Sequence, residues 1–418
     1  MVLHVTGITV VSSSDENVPS ILGLAGSAKS IICITTAKGH HPFFSARFAD
    51  VFGRKEPRAQ ATKYLRGLMS SVPRKNSWQV AEVVGDRIPD AMQRLLYRSK
   101  WRADAARDRL RQFVVEVFGE EDAIGVVDES GFIKKGKRSA GVKRQYSGTA
   151  GKVENCQIGT FLSYATTKGH AFLDRRLYLP EEEWCNDPER RKRAKVPDNV
   201  IFQTKPEQAM EMLEDAWQAG VPMRWVAGDE VYGDSTALRN LIARHERWYV
   251  LAVKTSTPIW AERPQVVEPK PQERGRPRTK ARLAEGSPSA TTAKEVVDSW
   301  PESRWQTLTV AEGEKGLIMY DWACQRVVEK CDGLPGRDAW LLARRSLSDP
   351  TDLAYYLSNA PADTPLLKLA QVASTRYTVE QCVEEAKGET GLDEYEVRYW
   401  HSWHRHITLS MMAHAWLA

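Results

Sequence analysis

The stretch Ala123-Ile-Gly-Val-Val-Asp128 decides the fold class. Up to this point apolar residues recur at three- and four-residue steps; here the period changes to a short continuous apolar run that ends on an acid. Such a run reads as a buried strand that delivers a carboxylate at its C-terminal end. Met223-Arg-Trp-Val-Ala-Gly-Asp229 repeats the device and is followed by Glu-Val-Tyr-Gly233. Between the two, Cys156–Ala165 and His170–Leu179 read as further strands. Lys205–Ala219 reads as a helix with Met210, Leu213 and Trp217 on one face. Arg247–Val253 is a fifth strand. Strands with an intervening helix, followed by long helices, predict an α/β core of about five strands.

Upstream, from Phe43 to about Phe118, the pattern is helical. Tyr64, Leu65 and Leu68, then Trp78, Val80, Val83 and Val84, then Met92, Leu95, Leu96 and Trp101 mark the apolar positions. Pro57, Pro73 and Pro89 punctuate the segments. Arg54, Lys55, Arg58, Lys63, Arg66, Arg74, Lys75, Arg87, Arg94, Arg98 and Arg102 lie between them. This predicts a small all-helical domain over 43–120 with a basic exterior, either a DNA-binding module or a dimerisation bundle, with no plain recognition-helix motif. Residues 1–42 are Ser/Thr-rich and lack the basic and apolar regions of a signal peptide; they read as a loosely ordered extension.

Downstream of Lys254 the character shifts again. Residues 262–294 form a flexible basic stretch rich in Pro, Arg, Ser and Thr. Trp305–Val310, Gly316–Trp322, Cys324–Val328 and Ala339–Arg344 then read as strands of a β-rich insertion spanning 255–364. The predicted core is therefore split into 121–254 and 365–418. Its last element is an apolar helix over about Tyr399–Leu417. In the run Arg398–His406 the tryptophans are expected to pack inward and the histidines and arginines to face out, rather than to form a metal cluster.

The segment Arg376-Tyr-Thr-Val-Glu380-Gln-Cys-Val-Glu-Glu-Ala-Lys387 reads R-x3-E-x6-K. Val379, Val383 and Ala386 recur at helical spacing, which puts Arg376, Glu380, Glu384 and Lys387 on one side of a short amphipathic helix. Taken alone, that is a solvated face with i,i+4 ion pairs. Taken with Asp128 and Asp229, it completes a trio of acids from two strand ends and one helix. Three carboxylates held together repel one another unless cations intervene. Mg²⁺ takes oxygen ligands and needs few from the protein, and two such ions support in-line phosphoryl transfer. Mn²⁺ is an expected substitute. Other readings stay open: Asp128 and Asp229 as turn caps, Glu129 or Glu230 as the true ligand against strand alternation, and Glu384 in place of Glu380.

Composition sets bounds. The 418 residues suffice for two or three domains, and 42% hydrophobic with 27% charged residues is ordinary for a globular chain. The net charge is +5, but basic residues crowd 54–75, 87–111, 134–144, 190–195 and 270–282, which suits a polyanion such as nucleic acid. No apolar run reaches transmembrane length. The six cysteines have no C-x-x-C pairing and no histidine at zinc-site spacing, which predicts reduced structural thiols in a cytosolic protein.

Four stretches taken together resemble a bacterial insertion-sequence transposase of the DDE superfamily. They are Val-Val-Asp128-Glu-Ser-Gly-Phe-Ile-Lys-Lys-Gly136, Arg144–Gln157, Asp229-Glu-Val-Tyr-Gly233 and the R-x3-E-x6-K helix. The similarity runs from about Phe43 to Leu417. It implies an RNase H-like fold with a β-rich insertion before the last acid. It implies Asp128, Asp229 and Glu380 as catalytic, metal-holding acids, and Arg376 and Lys387 as DNA contacts near the cut. Lys134, Lys135, Lys143, Arg144 and Tyr146, in the 131–155 element, are expected to grip phosphates. The tyrosine that many relatives carry three residues before the arginine is Ala373 here, so base-flipping or hairpin detail that depends on it does not carry over. The resemblance implies Mg²⁺-dependent hydrolysis followed by joining of a 3′-hydroxyl to target DNA. It also implies terminal inverted repeats as partner, a homodimer in synapsis, and a place at the bacterial nucleoid in the cytoplasm. The competing expectations are a domesticated, non-catalytic DNA-binding protein and a nuclease without strand transfer.

Overall fold

The computed structural model describes residues 4–5, 8–9, 47–269, 280–313 and 316–418. Most of the expected extension 1–42, and the centre of the basic stretch 262–294, lie outside the described residues. Within the first unit, residues 1–41, His4–Val5 pairs antiparallel with Ile8–Thr9. All that follows concerns the unit from Pro42 to Ala418.

Four helices come first: α1 (Lys55–Leu68), α2 (Ser77–Val83), α3 (Asp90–Tyr97) and α4 (Ala103–Phe118). Helix α1 buries Ala61, Tyr64, Leu65 and Leu68, a single stripe at helical spacing. Asn76 caps α2 by accepting from the Trp78 and Gln79 amides. Trp78 and Val83, placed in the apolar pattern by spacing, are instead exposed, Trp78 by 63%. Helix α2 is too short to bury more than one edge, and Val80 and Ala81 are the residues that it buries.

The sheet follows. Strands β1 (Ile124–Ile133), β2 (Lys143–Ser147), β3 (Lys152–Thr166) and β4 (Gly169–Leu177) are joined antiparallel, with β3 pairing β1, β2 and β4. Helix α5 (Lys205–Gln218), opened by a Thr204/Glu207 capping box, leads to β5 (Trp225–Gly228) and then β6 (Trp248–Val253). β5 lies parallel to both β1 and β6. The five core strands thus run β4-β3-β1-β5-β6, three antiparallel and then two parallel to the first. Such a parallel centre is buried on both sides, which is why β1 and β5 read as unbroken apolar runs.

Strands β7 (Gln306–Gly313), β8 (Gly316–Cys331), β9 (Leu334–Arg345) and β10 (Leu353–Ser358) continue the same sheet, because β10 pairs antiparallel with β6. With β2 and two short strands, Pro258–Trp260 and Thr291–Thr292, the sheet reaches 12 strands among the described residues. Gly316–Trp322 and Cys324–Val328, expected as two strands, are one, since β8 pairs β9 in unbroken register from Asp321 to Val328, and its bulge comes only after Val328.

Three helices complete the chain: α6 (Leu366–Ser374), α7 (Arg376–Thr390) and α8 (Trp400–Leu417). Helix α8 is buried along nearly its whole length and packs against α1, α3, α4, α7 and β4. This overturns the outward-facing histidines. Trp403 is buried as expected, but so are Arg405 and His406. The His406 ring is bonded to Tyr64 Oη at 2.9 Å and to the Gly391 carbonyl at 3.0 Å. Arg405 donates to the carbonyls of Leu96, Ser99 and Trp101. These polar groups satisfy the ends of other elements, which a helical wheel cannot reveal. No helix among the described residues is long and apolar enough to cross a membrane.

Candidate active site and nucleic-acid interface

The register of β1 on β5 ends at Val127 opposite Gly228. Asp128 and Asp229 are the next residues on these adjacent parallel strands and therefore stand side by side. Asp128 is not the end of its strand, as the sequence implied; β1 runs on to Ile133 against β3. It marks instead where the parallel neighbour stops. Asp229 caps the one-turn helix Glu230–Gly233, its Oδ1 accepting from the Val231 amide at 2.9 Å. The turn passes so close to β6 that a Cβ on Gly233 would lie 1.7 Å from the Ala252 carbonyl oxygen, so only glycine fits.

Both carboxyls are shifted upward. Burial pushes Asp128 up to about 7, with the Asp229 and Glu129 charges adding to it; Arg376 acts in the opposite sense. Asp229 is raised by burial and then by Glu129, and lowered by Arg376. Glu129 belongs to this negative cluster but is held elsewhere, by Lys205 and by the hydroxyl of buried Tyr232 at 3.0 Å. Asp128 and Asp229 are in no ion pair among the described residues. Strand alternation had set Glu129 aside; its charge nonetheless reaches both aspartates.

Helix α7 buries Val379, Cys382 and Ala386 and presents Arg376, Glu380 and Lys387 on its opposite side. Arg376 pairs with Glu380 at 2.9 Å on its own helix, and the charge of Arg376 acts on both aspartates. Lys387 donates to Thr149 Oγ1 at 3.0 Å and reaches toward the Gly131 carbonyl, three residues beyond Asp128 on β1. The donor set is all oxygen and anionic, with two neighbouring acids held above their ordinary range. That is the environment a hard divalent cation reverses, so these residues fit a magnesium-class ion.

The chain matches the family model described as DDE superfamily endonuclease over residues 47–317. The protein belongs to this DDE family. The matched range contains Asp128 and Asp229 and stops before Glu380. The chain is also 29% identical, over 178 residues, to a Microchaete diplosiphon protein described as "Probable transposase for insertion sequence element IS701". That match covers 42% of this chain and 43% of the relative, less than half the length of each.

The residues expected to grip DNA divide into two sets. Lys135, Arg144 and Tyr146 are exposed, and Tyr146 and Arg144 lie on one face of β2 two residues apart. Lys134 and Lys143 are engaged within the protein. Lys134 donates to the Tyr395 carbonyl at 3.0 Å, its amine 3.5 Å from that ring's centroid, and burial pushes it down to about 8. Lys143 pairs with Glu183 at 2.8 Å.

Lys134 and Lys135 line one wall of a groove of about 1480 Å³ that the sequence did not reveal as a unit. Arg74, Arg94 and Arg98 come from the helical segment, Lys137 and Arg138 from the loop after β1, and Lys195 and Arg398 from further on. Asp90, Asp393, Glu394 and Glu396 offset part of this charge. The exposed ring of Trp78 sits in the same wall. Five residues of strand, roughly 17 Å at ~3.3 Å per residue, separate Asp128 from Ile133 at the groove edge. The one available signal was the density of arginine among the helical positions; a wheel assigns Trp78 to the core.

Proposed function

We propose that the protein is a DNA transposase that cuts and joins insertion-sequence ends by magnesium-dependent phosphoryl transfer. The observation that carries this reading is the adjacency of Asp128 and Asp229 at the ends of parallel β pairing, with no cation bonded to either among the described residues. The relative described as a transposase and the family match favour the same class. We read the five core strands as the RNase H-like fold, supported by their order and by the arrangement of three antiparallel and two parallel members. Residues 43–120 are then the DNA-contacting or dimerisation module, and 255–364 the insertion.

Asp128, Asp229 and Glu380 would hold a pair of Mg²⁺ ions, which supply an activated water or 3′-hydroxyl and a counter-charge for the departing oxygen. The chain's own groups do the rest. Arg376 pairs with Glu380, lends its charge to the two aspartates and offers a guanidinium to the phosphodiester. Lys387 approaches the same strand three residues further on. Lys205 and Tyr232 hold Glu129 in place beside the strand ends, where its charge still acts on both aspartates. Lys135, Arg144, Tyr146 and the groove beyond Ile133 track the duplex away from the cut, Lys134 and Lys143 bracing that surface from within. A homodimer bridging two inverted-repeat ends, acting in the cytoplasm on the bacterial chromosome, follows from that chemistry.

The test is incubation with linear DNA carrying candidate terminal repeats, with Mg²⁺ or with EDTA. Metal-dependent end cleavage and strand joining, both absent in Asp128→Ala, are expected. Cleavage without joining would leave a nuclease. Tight binding with no cutting at any metal concentration would contradict the enzyme and leave a domesticated DNA-binding protein.

A further inference from the structure

On the side of α7 away from Glu380, three donors from distant parts of the chain meet. They are His170 on β4, Cys382 on α7 and His414 near the end of α8. One ligating atom from each lies within 4.8 Å of those of the other two. Cys382 and His414 are buried, and His170 is half-buried. Glu385, one turn beyond Cys382, brings its Oε2 within 2.9 Å of His170 Nε2 and 3.2 Å of His414 Nε2. The two imidazole rings lie stacked, centroids 6.0 Å apart.

The second observation is an orphan. His414 Nδ1 is buried and has no hydrogen-bond partner among the described residues. With Nε2–H donated to Glu385, Nδ1 carries the free lone pair of a neutral imidazole. A carboxylate fixing the tautomer of an imidazole whose other nitrogen stands bare is the usual arrangement around a ligating histidine.

We propose that His170, Cys382 and His414 bind one zinc-class divalent cation, with Glu385 orienting the imidazoles. One thiolate and two imidazoles are borderline-soft donors that select zinc or cobalt and reject magnesium. On binding, the Cys382 thiol releases its proton to solvent as the sulfur–metal bond forms. Bonds of about 2.0–2.3 Å place tetrahedral donors roughly 3.5 Å apart, so side-chain shifts of about an ångström close the site. The ion ties α7 to α8 and β4, and so fixes the helix that carries Glu380 from behind. Sequence spacing could not disclose it, because His170 lies more than two hundred residues before Cys382 and His414. The inference stands independently of the catalytic reading.

The full chain, purified without chelator, is analysed for zinc. It is then stripped and titrated with Co²⁺ in excess Mg²⁺. One zinc per chain is expected in the wild type and in Asp128→Ala, falling several-fold in Cys382→Ser and His414→Gln and to a lesser extent in Glu385→Gln. The stripped wild type should develop a thiolate-to-cobalt charge-transfer band with tetrahedral d–d absorption. That reading needs no variant to fold. Absence of zinc together with absence of the band overturns the proposal. Zinc lost in Asp128→Ala but kept in Cys382→Ser overturns it too, since the ion would then belong to the aspartates.

Discussion

Two aspartates of this molecule are shifted in opposite directions. Asp174 on β4 is fully buried, yet its carboxyl is held well below the usual range. Arg107 and Arg111 reach it from α4, the latter at 3.0 Å, and Arg175 and Arg176 from its own strand at 3.4 and 2.9 Å. Arg175 is itself anchored by Asp104 and Thr408 at 2.9 Å. Asp128 is pushed up to about 7, first by burial and then by the charges of Asp229 and Glu129. Burial raises both acids; the neighbours decide the sign. The Asp174 knot is matched by arginines within the chain, whereas among the described residues neither Asp128 nor Asp229 has an ion-pair partner.

This contrast can be broken in graded ways. Removing an acid of the aspartate pair should leave the fold intact and abolish function: Asp128→Ala or Asp229→Ala should lower Mg²⁺-dependent end cleavage on the order of 10³-fold or more. Near-normal cleavage would dissolve the contrast. Removing the acid of the knot should do the reverse. Asp174→Asn removes the carboxylate that four guanidiniums share and should cost about 3–5 kcal/mol of stability in a urea titration. A loss under about 1 kcal/mol would mean that solvent, not Asp174, neutralises those arginines.

The pair also carries a pH signature when metal is absent. A folded-state value near 7 for Asp128 exceeds the unfolded value of about 3.9. The native state therefore binds more protons between these values, and stability falls as pH rises from about 4 to 7. Asp128→Asn removes this titration. In EDTA at pH 8 the variant should be the more stable, on the order of 1–3 kcal/mol after solvent screening, and the difference should vanish near pH 4. A wild type more stable than Asp128→Asn at pH 8 without metal would reverse the sign of the argument.

The groove charges are exposed rather than buried, so each should count for less. Lys135→Ala should weaken DNA binding severalfold and reduce the salt-dependence slope by about 1. Trp78→Ala should cost about 1–3 kcal/mol with single-stranded DNA if its ring stacks on a base. Binding by both variants equal to wild type at low salt would remove the groove from the DNA path.

Period and composition made the core legible. The apolar runs ending at Asp128 and Asp229 are strands because a parallel centre is buried on both sides, and that condition erases alternation. The amphipathic stripe of α7 placed Glu380 and Arg376 on one side. What the sequence hid is relational. Trp78 occupies a core position of a helix too short to have a core, and His406 and Arg405 face inward because other elements' carbonyls await them. The continuity of β10 with β6 joins segments a hundred residues apart, and nothing in either segment announces the pairing. Glu129 was set aside by a rule about side-chain direction, yet charge acts through space and reaches both aspartates. Lys134 and Lys143 read as free cations, but Tyr395 and Glu183, far along the chain, engage them.

The central claim is that Asp128 and Asp229 await a divalent cation. It is met most directly by titrating the metal-free protein with Mn²⁺ at pH 8 and following thermal unfolding. The account predicts saturable stabilisation of the wild type, sharply reduced in Asp128→Asn and Asp229→Asn. Equal stabilisation of the wild type and both variants, or none in any, would contradict it.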